Sequence, residues 1–177
     1  MLPQVVENKP IMNAKQMAGA SHVLVVLPLT QKLDTLENVP YIDVLRAALK
    51  RKHLQPNELA KSPLTLDLPQ GGLSSWVMLD QTTSRFEQYT ILRKGVVALT
   101  GEQPKEIVLA LYGDAKQREL FADLAVYVAL LNSVTLPSRK KKTEHALVKQ
   151  IIVYGAQSRD RHAQSRAVAE GNTLTRE

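Results

Sequence analysis

The fold of this chain is limited above all by an apolar run that leads directly into a long amphipathic helix. Residues 105–114, KEIVLALYGD, have the continuous apolar pattern of a strand that is buried on both faces of a sheet. Asp114 can cap the helix that follows, and Gln117 can return the capping hydrogen bond. The helix carries a broad apolar stripe, which needs a sheet to lie against. The stripe consists of Gln117, Leu120, Phe121, Leu124, Ala125, Val128 and Leu131.

Three further segments have the pattern of regular elements. Residues 21–30, SHVLVVLPLT, predict a central strand, and residues 147–155, LVKQIIVYG, predict another buried strand that ends at a glycine. Residues 41–52 predict a helix with basic residues in its last turn, where they complement the helix dipole. Its apolar stripe is formed by Tyr41, Val44, Leu45, Ala48 and Leu49.

The middle of the chain predicts a hairpin and then a helix followed by a strand. Residues 62–69 and 74–81 read as two strands joined through Gly71-Gly72, whose paired glycines permit positive φ at the turn. In residues 86–101 we expect a helix that ends at Lys94 with Gly95 as its cap, followed by a strand over Val96–Leu99. Because strands and amphipathic helices alternate, the predicted fold class is α/β, with a mixed central sheet flanked by helices.

Composition excludes several classes of protein. The 177 residues, 44% of them hydrophobic, suffice for one domain with its own core. There is no cysteine, which excludes disulfides, thiolate metal ligands and cysteine nucleophiles. There is no run of about eighteen apolar residues, and the first residues lack the basic and apolar regions of a signal peptide. We therefore expect a soluble cytoplasmic protein without a membrane partner.

Motifs for catalysis or cofactor binding are absent from the sequence. The eight glycines form neither a dinucleotide fingerprint nor a phosphate loop, and Gly71-Gly72 reads as a hairpin turn rather than an anion cradle. Asp67 and Asp80 could approach each other across the hairpin, but without a pocket they do not indicate acid–base catalysis. Phe121 and Tyr127 read as core residues rather than a stacking platform. The four histidines have no metal-ligand spacing: His22, His53, His145 and His162.

The basic charge is concentrated near the end of the chain. The net charge is +6, and residues 138–177 carry nine Lys and Arg against four Asp and Glu. A solvated linker is one interpretation, and a nucleic-acid surface is the other. The possible nucleic-acid contact is Arg139, Lys140, Lys141 and Lys142, supported by Lys149, Arg159, Arg161 and Arg166.

The last residues predict a helix that begins near Asp160 and has no stop signal. Its expected apolar stripe is Ala163, Ala167, Val168, Gly171 and Leu174, and no cap or proline follows. The segment RAVAEGNTLTRE resembles the helix that joins the two domains in the cytosol leucyl aminopeptidase family. The matching residues are Ala167, Ala169, Glu170, Gly171, Leu174, Arg176 and Glu177.

The order of the upstream elements also resembles the N-terminal domain of that family, which has a macro-domain-like fold. The resemblance implies that residues 1–157 form this domain and that 158–177 begin the linker helix toward a C-terminal catalytic domain. It further implies a parent metalloexopeptidase that removes N-terminal amino acids from peptides with two divalent metals, zinc or manganese, as a hexamer. The family's catalytic and metal-binding residues all lie in the C-terminal domain, so none transfers to a position in this sequence.

Three hypotheses follow from the sequence. The first is a non-catalytic N-terminal domain of a leucyl aminopeptidase-like enzyme, which acts in assembly and in access to the active site. The second is a DNA-binding or regulatory module that uses the basic residues. The third is binding of an ADP-ribose-type ligand by the macro-like domain, which the missing Gly-rich phosphate loop disfavours.

Overall fold

The computed structural model describes residues 2–133, 148–157 and 159–174, without the side chains of residues 159–161, 173 and 174. The strands are β1 (Gln4–Asn8), β2 (His22–Pro28), β3 (Leu64–Asp67), β4 (Leu73–Leu79), β5 (Glu106–Leu111) and β6 (Gln150–Tyr154). The α-helices are α1 (Ala14–Gly19), α2 (Ile42–Arg51), α3 (Arg85–Thr100), α4 (Ala115–Asn132) and α5 (Arg159–Leu174), and short 3-10 turns occupy Leu33–Thr35 and Pro56–Ala60.

The six strands form one mixed sheet in the order β1-β6-β5-β2-β4-β3. All neighbouring strands are parallel except β3, which pairs antiparallel with β4 at one edge. The strand predicted to be central, β2, lies between β4 and β5, so that Val25 pairs with Trp76 on one side and Ala110 on the other. The predicted α/β fold class, with a mixed sheet flanked by helices, is confirmed.

Helices cover both faces of the sheet. Leu24 and Val26 of β2 pack into a core shared with α3, α4 and Ala169 of α5. Val23 and Val25 point to the opposite face and pack with residues of α1 and α2. Because side chains alternate along a strand, a strand covered on both faces must be apolar at every position, as β2 is.

The predicted break at Gly95 is wrong, because α3 is one continuous helix from Arg85 to Thr100. Gly95 is buried inside it, and a Cβ at this position would lie 2.7 Å from Leu24 Cδ1 and 3.1 Å from Val77 Cγ1. The glycine therefore brings the helix axis close to the sheet rather than ending the helix. The residues predicted as a strand, Val96–Leu99, are the last part of the helix.

The predicted hairpin is confirmed, since β3 and β4 are antiparallel and joined through Gly71 and Gly72. Gly71 has a φ of 85°, which favours glycine. A Cβ on Gly72 would lie 2.3 Å from the carbonyl oxygen of Ala20, so the turn packs closely against the chain that enters β2. The two glycines thus serve the turn, as the sequence predicted.

Helices α2 and α4 also follow the predictions, but the set of buried residues on each differs from the predicted stripe. In α2, Leu45, Ala48 and Leu49 are buried, but Val44 is 43% exposed. The capping box of α4 forms as expected: Asp114 Oδ1 accepts from the backbone N–H of Gln117, at 2.8 Å. The buried face of α4 is wider than the predicted stripe, because the helix is covered by the sheet, α3 and α5.

Two elements at the beginning of the chain were not predicted. Strand β1 pairs in parallel with β6 and forms the second edge of the sheet. Helix α1 has six residues and a capping box between Asn13 and Gln16. Both are too short to show a hydrophobic period, which is why the sequence gives little sign of them.

Candidate functional site

The two aspartates considered for acid–base chemistry lie at opposite ends of the hairpin. Asp67 pairs with Leu73 where β4 begins, whereas Asp80 follows Leu79 where β4 ends. The approach across the hairpin that the sequence left open does not occur. Hydrogen bonds from the side chain and backbone of Thr82 lower the pKa of Asp80, which stabilises its charged form.

The histidines are distributed over the fold. His22 Nε2 lies 2.9 Å from Glu102 Oε2, and Nδ1 lies 3.2 Å from Ser21 Oγ, at the amino end of β2. His53 follows α2 with a φ of 56°, and His145 lies outside the described residues. Within the described ranges, no three His, Cys, Asp or Glu side chains converge so as to hold a metal ion.

The carboxyl ends of β2 and β5 mark the point where the strand order reverses, which is the usual ligand crevice of an open α/β sheet. Here the N-terminus of α4 is closed by its own side chains. Asp114 accepts from the N–H of Gln117, and Gln117 Oε1 accepts from the N–H of Asp114 at 3.0 Å. A carboxylate thus occupies the place that a phosphate would take at this helix, which disfavours an ADP-ribose-type ligand there.

Helix α5 is fastened to the rest of the fold at its first turns by a buried polar pair. His162 of α5 and Glu7 of β1 have side chains that are 7% and 12% exposed, and Nε2 lies 2.6 Å from Oε1. Burial lowers the pKa of His162, so the folded protein favours the neutral imidazole. This pair joins α5 to the edge strand of the sheet.

Farther along, α5 is held against α4. Ala169 is fully buried in the core under α3 and α4. Asn172 Nδ2 donates to Tyr127 Oη at 3.0 Å, and the Tyr127 ring lies 5.2 Å from that of Tyr89 in α3. We call Glu7, Tyr127, His162, Ala169 and Asn172 the α5 seam. The seam fixes α5 at three successive levels along its length.

The apolar stripe predicted for α5 faces away from the fold, and that prediction is wrong. Ala163, Ala167, Val168 and Gly171 are exposed, with Val168 at 47%. The side chain of Leu174 lies outside the described residues. The inward face is defined by two polar side chains and an alanine, so hydrophobicity alone could not identify it.

The residues of the possible nucleic-acid contact are only partly described. Arg139, Lys140, Lys141 and Lys142 lie outside the described residues, as do the side chains of Arg159 and Arg161. Lys149 is exposed just before β6. Arg166 Nε lies 3.3 Å from Glu170 Oε1 on the next turn of α5. DNA binding through these residues therefore stays a prediction.

The α5 seam contains residues that the sequence did not single out. Glu7, Tyr127 and Asn172 belong to no motif, and His162 was noted only for its lack of metal-ligand spacing. The sequence signal that could have found the seam is the spacing of His162, Ala169 and Asn172, which places these three residues on one face of α5.

None of the helices in the part of the chain that the structure describes is long and apolar enough to cross a bilayer.

Similar proteins are found among solved structures. No known protein-family profile and no curated protein matches this sequence. Over 97% of its length the chain matches a mutant of tomato leucine aminopeptidase, with a TM-score of 0.62 and 13% identity. Over 88% it matches the bottromycin maturation enzyme BotP in complex with Mn, with a TM-score of 0.59 and 14% identity. At these identities the likeness shows a shared fold.

This chain is much shorter than either of the two similar proteins. The chain spans 37% of the tomato leucine aminopeptidase chain and 31% of the BotP chain. Nearly all of this protein therefore corresponds to about a third of either one. The aminopeptidase resemblance seen in the sequence is supported at the level of the fold of one segment.

Proposed function

We propose that this chain is the non-catalytic N-terminal domain of a leucyl aminopeptidase-like metalloexopeptidase. The observation that carries the proposal is the match of 97% of the chain to 37% of tomato leucine aminopeptidase. The parent enzyme would remove N-terminal amino acids from peptides in the cytoplasm, as a hexamer. Within it, residues 1–157 would form the macro-like domain, and residues from 158 onward would lead to a C-terminal catalytic domain.

The α5 seam supports a positioning role for this domain. A helix that is anchored through His162, Ala169 and Asn172 has a fixed direction relative to the sheet. Its outward face, with Val168 exposed, would lie toward the catalytic domain. Because interactions at both ends of a rigid helix limit relative motion, such a helix would orient the two domains and influence assembly and access to the active site.

The two divalent metals, zinc or manganese, would belong to the catalytic domain. Two-metal peptide hydrolysis requires several carboxylates that converge on ions about 3.5–4 Å apart. Among the described residues, no three His, Cys, Asp or Glu side chains form such a group. We propose that catalysis takes place in that domain.

An activity assay tests the proposed division of labour. The purified chain, incubated with Mn²⁺ or Zn²⁺, should release no product from leucyl-p-nitroanilide above the metal-only blank, because the proposal assigns the metal ligands to the catalytic domain. Tomato leucine aminopeptidase in the same buffer is the positive control. Turnover that depends on added metal and disappears with a chelator would contradict the proposal.

A further inference from the structure

A cavity of about 320 Å³ lies beside the carboxyl end of β4. It is bounded by the 3-10 turn Pro56–Ala60 and Lys61, by the last residues of β4, and by the first half of α3. Met78, Leu79 and Ile91 give it an apolar lining. The volume is in the range of small-ligand pockets in proteins.

Gln88 of α3 forms part of the floor of this cavity. The side chain is buried, and Nε2 donates to the backbone oxygens of Asp80 at 2.9 Å and Thr83 at 3.3 Å. These two bonds fix the orientation of the amide. Its Oε1 is buried and accepts no hydrogen bond within the described residues. Because this oxygen is enclosed by the protein, a ligand in the cavity does not reach it, and Gln88 forms part of the fixed floor of the cavity.

Opposite charges line the two ends of the cavity. Asp80 and Glu87 lie close enough to influence each other electrostatically, and hydrogen bonds from Thr82 and Ser84 lower their pKa values. Lys94 Nζ donates to the carbonyl oxygen of Lys61 at 3.1 Å, which places the two lysine residues together. None of these four side chains forms an ion pair with any residue that the structure describes.

The separation of the charged ends suits a molecule with two charges of its own. Glu87 and Lys94 are two turns apart on α3, a rise of about 10 Å. An extended dipeptide spans about 7 Å, and a hydrogen bond of about 2.9 Å at each end extends this reach to about 13 Å. Ile91 lies between the charged ends and provides an apolar surface for side chains.

An aromatic ring stands at the same cavity. Phe86, one of the two phenylalanines in the chain, is 79% exposed. A large exposed ring beside an apolar pocket is available to cover a bound apolar group. Phe86 therefore supplies a third feature that a ligand would use, beside the two charged ends.

We propose that this cavity binds a short zwitterionic peptide with apolar side chains, a dipeptide with both termini free. The ammonium group would contact Asp80 and Glu87. The carboxylate would contact Lys61 and Lys94, and the side chains would pack on Ile91 and Phe86. The proposal is independent of the proposed function, because it is argued from this cavity alone.

Calorimetric titration of the full chain with leucyl-leucine tests the site. We expect binding, and we expect at least about tenfold weaker binding when either terminus is blocked, by N-acetylation or by C-terminal amidation, because each removes one ionic contact. Free leucine should also bind more weakly. Absence of binding at millimolar dipeptide, equal binding of a blocked peptide, or tighter binding of leucine would overturn the proposal.

Paired variants locate the binding. Lys94→Gln should weaken leucyl-leucine binding about tenfold, whereas Arg93→Gln, an exposed cation of the same helix outside the cavity, should leave it unchanged. Phe86→Ala should weaken it, whereas Val97→Ala, which removes an exposed apolar side chain elsewhere on α3, should not. Thermal unfolding of each variant checks that it is folded. Equal effects within a pair would contradict the assigned position of the ligand.

Discussion

Replacement of Gly155 by alanine is expected to lower the free energy of unfolding by about 3 kcal/mol, because it combines a strained backbone with a steric clash. Gly155 follows β6 with a φ of 101°, where side chains are disfavoured. A Cβ would also lie 2.6 Å from the carbonyl oxygen of Leu111. The N–H of Gly155 donates to Asn8, and its carbonyl accepts from Arg118 Nε at 2.8 Å, so the backbone is held on both sides. Urea denaturation measures the change.

Gly171→Ala is the matched control, with the opposite sign. Gly171 lies in the exposed interior of α5, where a Cβ would meet no atom within 4 Å. Alanine has the higher helix propensity, so this variant should be more stable by about 0.5–1 kcal/mol. A Gly155→Ala variant as stable as the natural protein would contradict the geometry at the junction of β6 and α5.

The second large effect is expected from Phe121→Ala, which should cost about 4 kcal/mol. The ring is fully buried on the face of the sheet that α3, α4 and α5 cover. Its removal leaves a cavity that closely packed neighbours fill only in part, which adds to the lost burial of apolar surface. The measurement is the free energy of unfolding in urea, with the slope compared between variants.

The chain's other phenylalanine provides the control. Phe86 is 79% exposed, so Phe86→Ala should change the free energy of unfolding by less than about 0.5 kcal/mol. Similar losses for both variants would mean that α4 does not pack on the sheet as described. The same Phe86 variant enters the peptide-binding test, where the small stability change makes its binding result interpretable.

The elements that the sequence predicts well are those whose burial leaves a regular pattern. Strands β2 and β5 are apolar at nearly every position because both faces are covered, and α4 combines a capping box with a long apolar period. The hairpin follows from Gly71 and Gly72. In each case the local pattern and the tertiary environment favour the same structure.

The errors arise where tertiary packing decides the structure. Gly95 has the sequence context of a helix cap, but the space between Leu24 and Val77 requires a residue without a side chain inside a continuous helix. Strand β1 has five residues, and its place beside β6 depends on partners 146 residues away in sequence. A local window contains neither piece of information.

The candidate site was the least predictable part. The α5 seam depends on Glu7 meeting His162 and on Tyr127 meeting Asn172, which are pairings between distant residues. The spacing of the small apolar residues in α5 predicted that the wrong face of the helix is buried. The face that is buried carries mostly polar side chains, which hydrophobicity does not identify. The peptide cavity likewise brings together residues 60–61, β4 and α3, which no sequence motif connects.

Hydrogen exchange across α5 tests most directly the claim that this helix is an integral, positioned part of the domain. An undocked helix of sixteen residues is marginal in water. We therefore expect amides between His162 and Asn172 to exchange at least about a hundredfold more slowly than in an unstructured peptide, as in the docked helix α4. Exchange of these amides at unstructured rates, with α4 protected, would contradict the seam and the positioning role that depends on it.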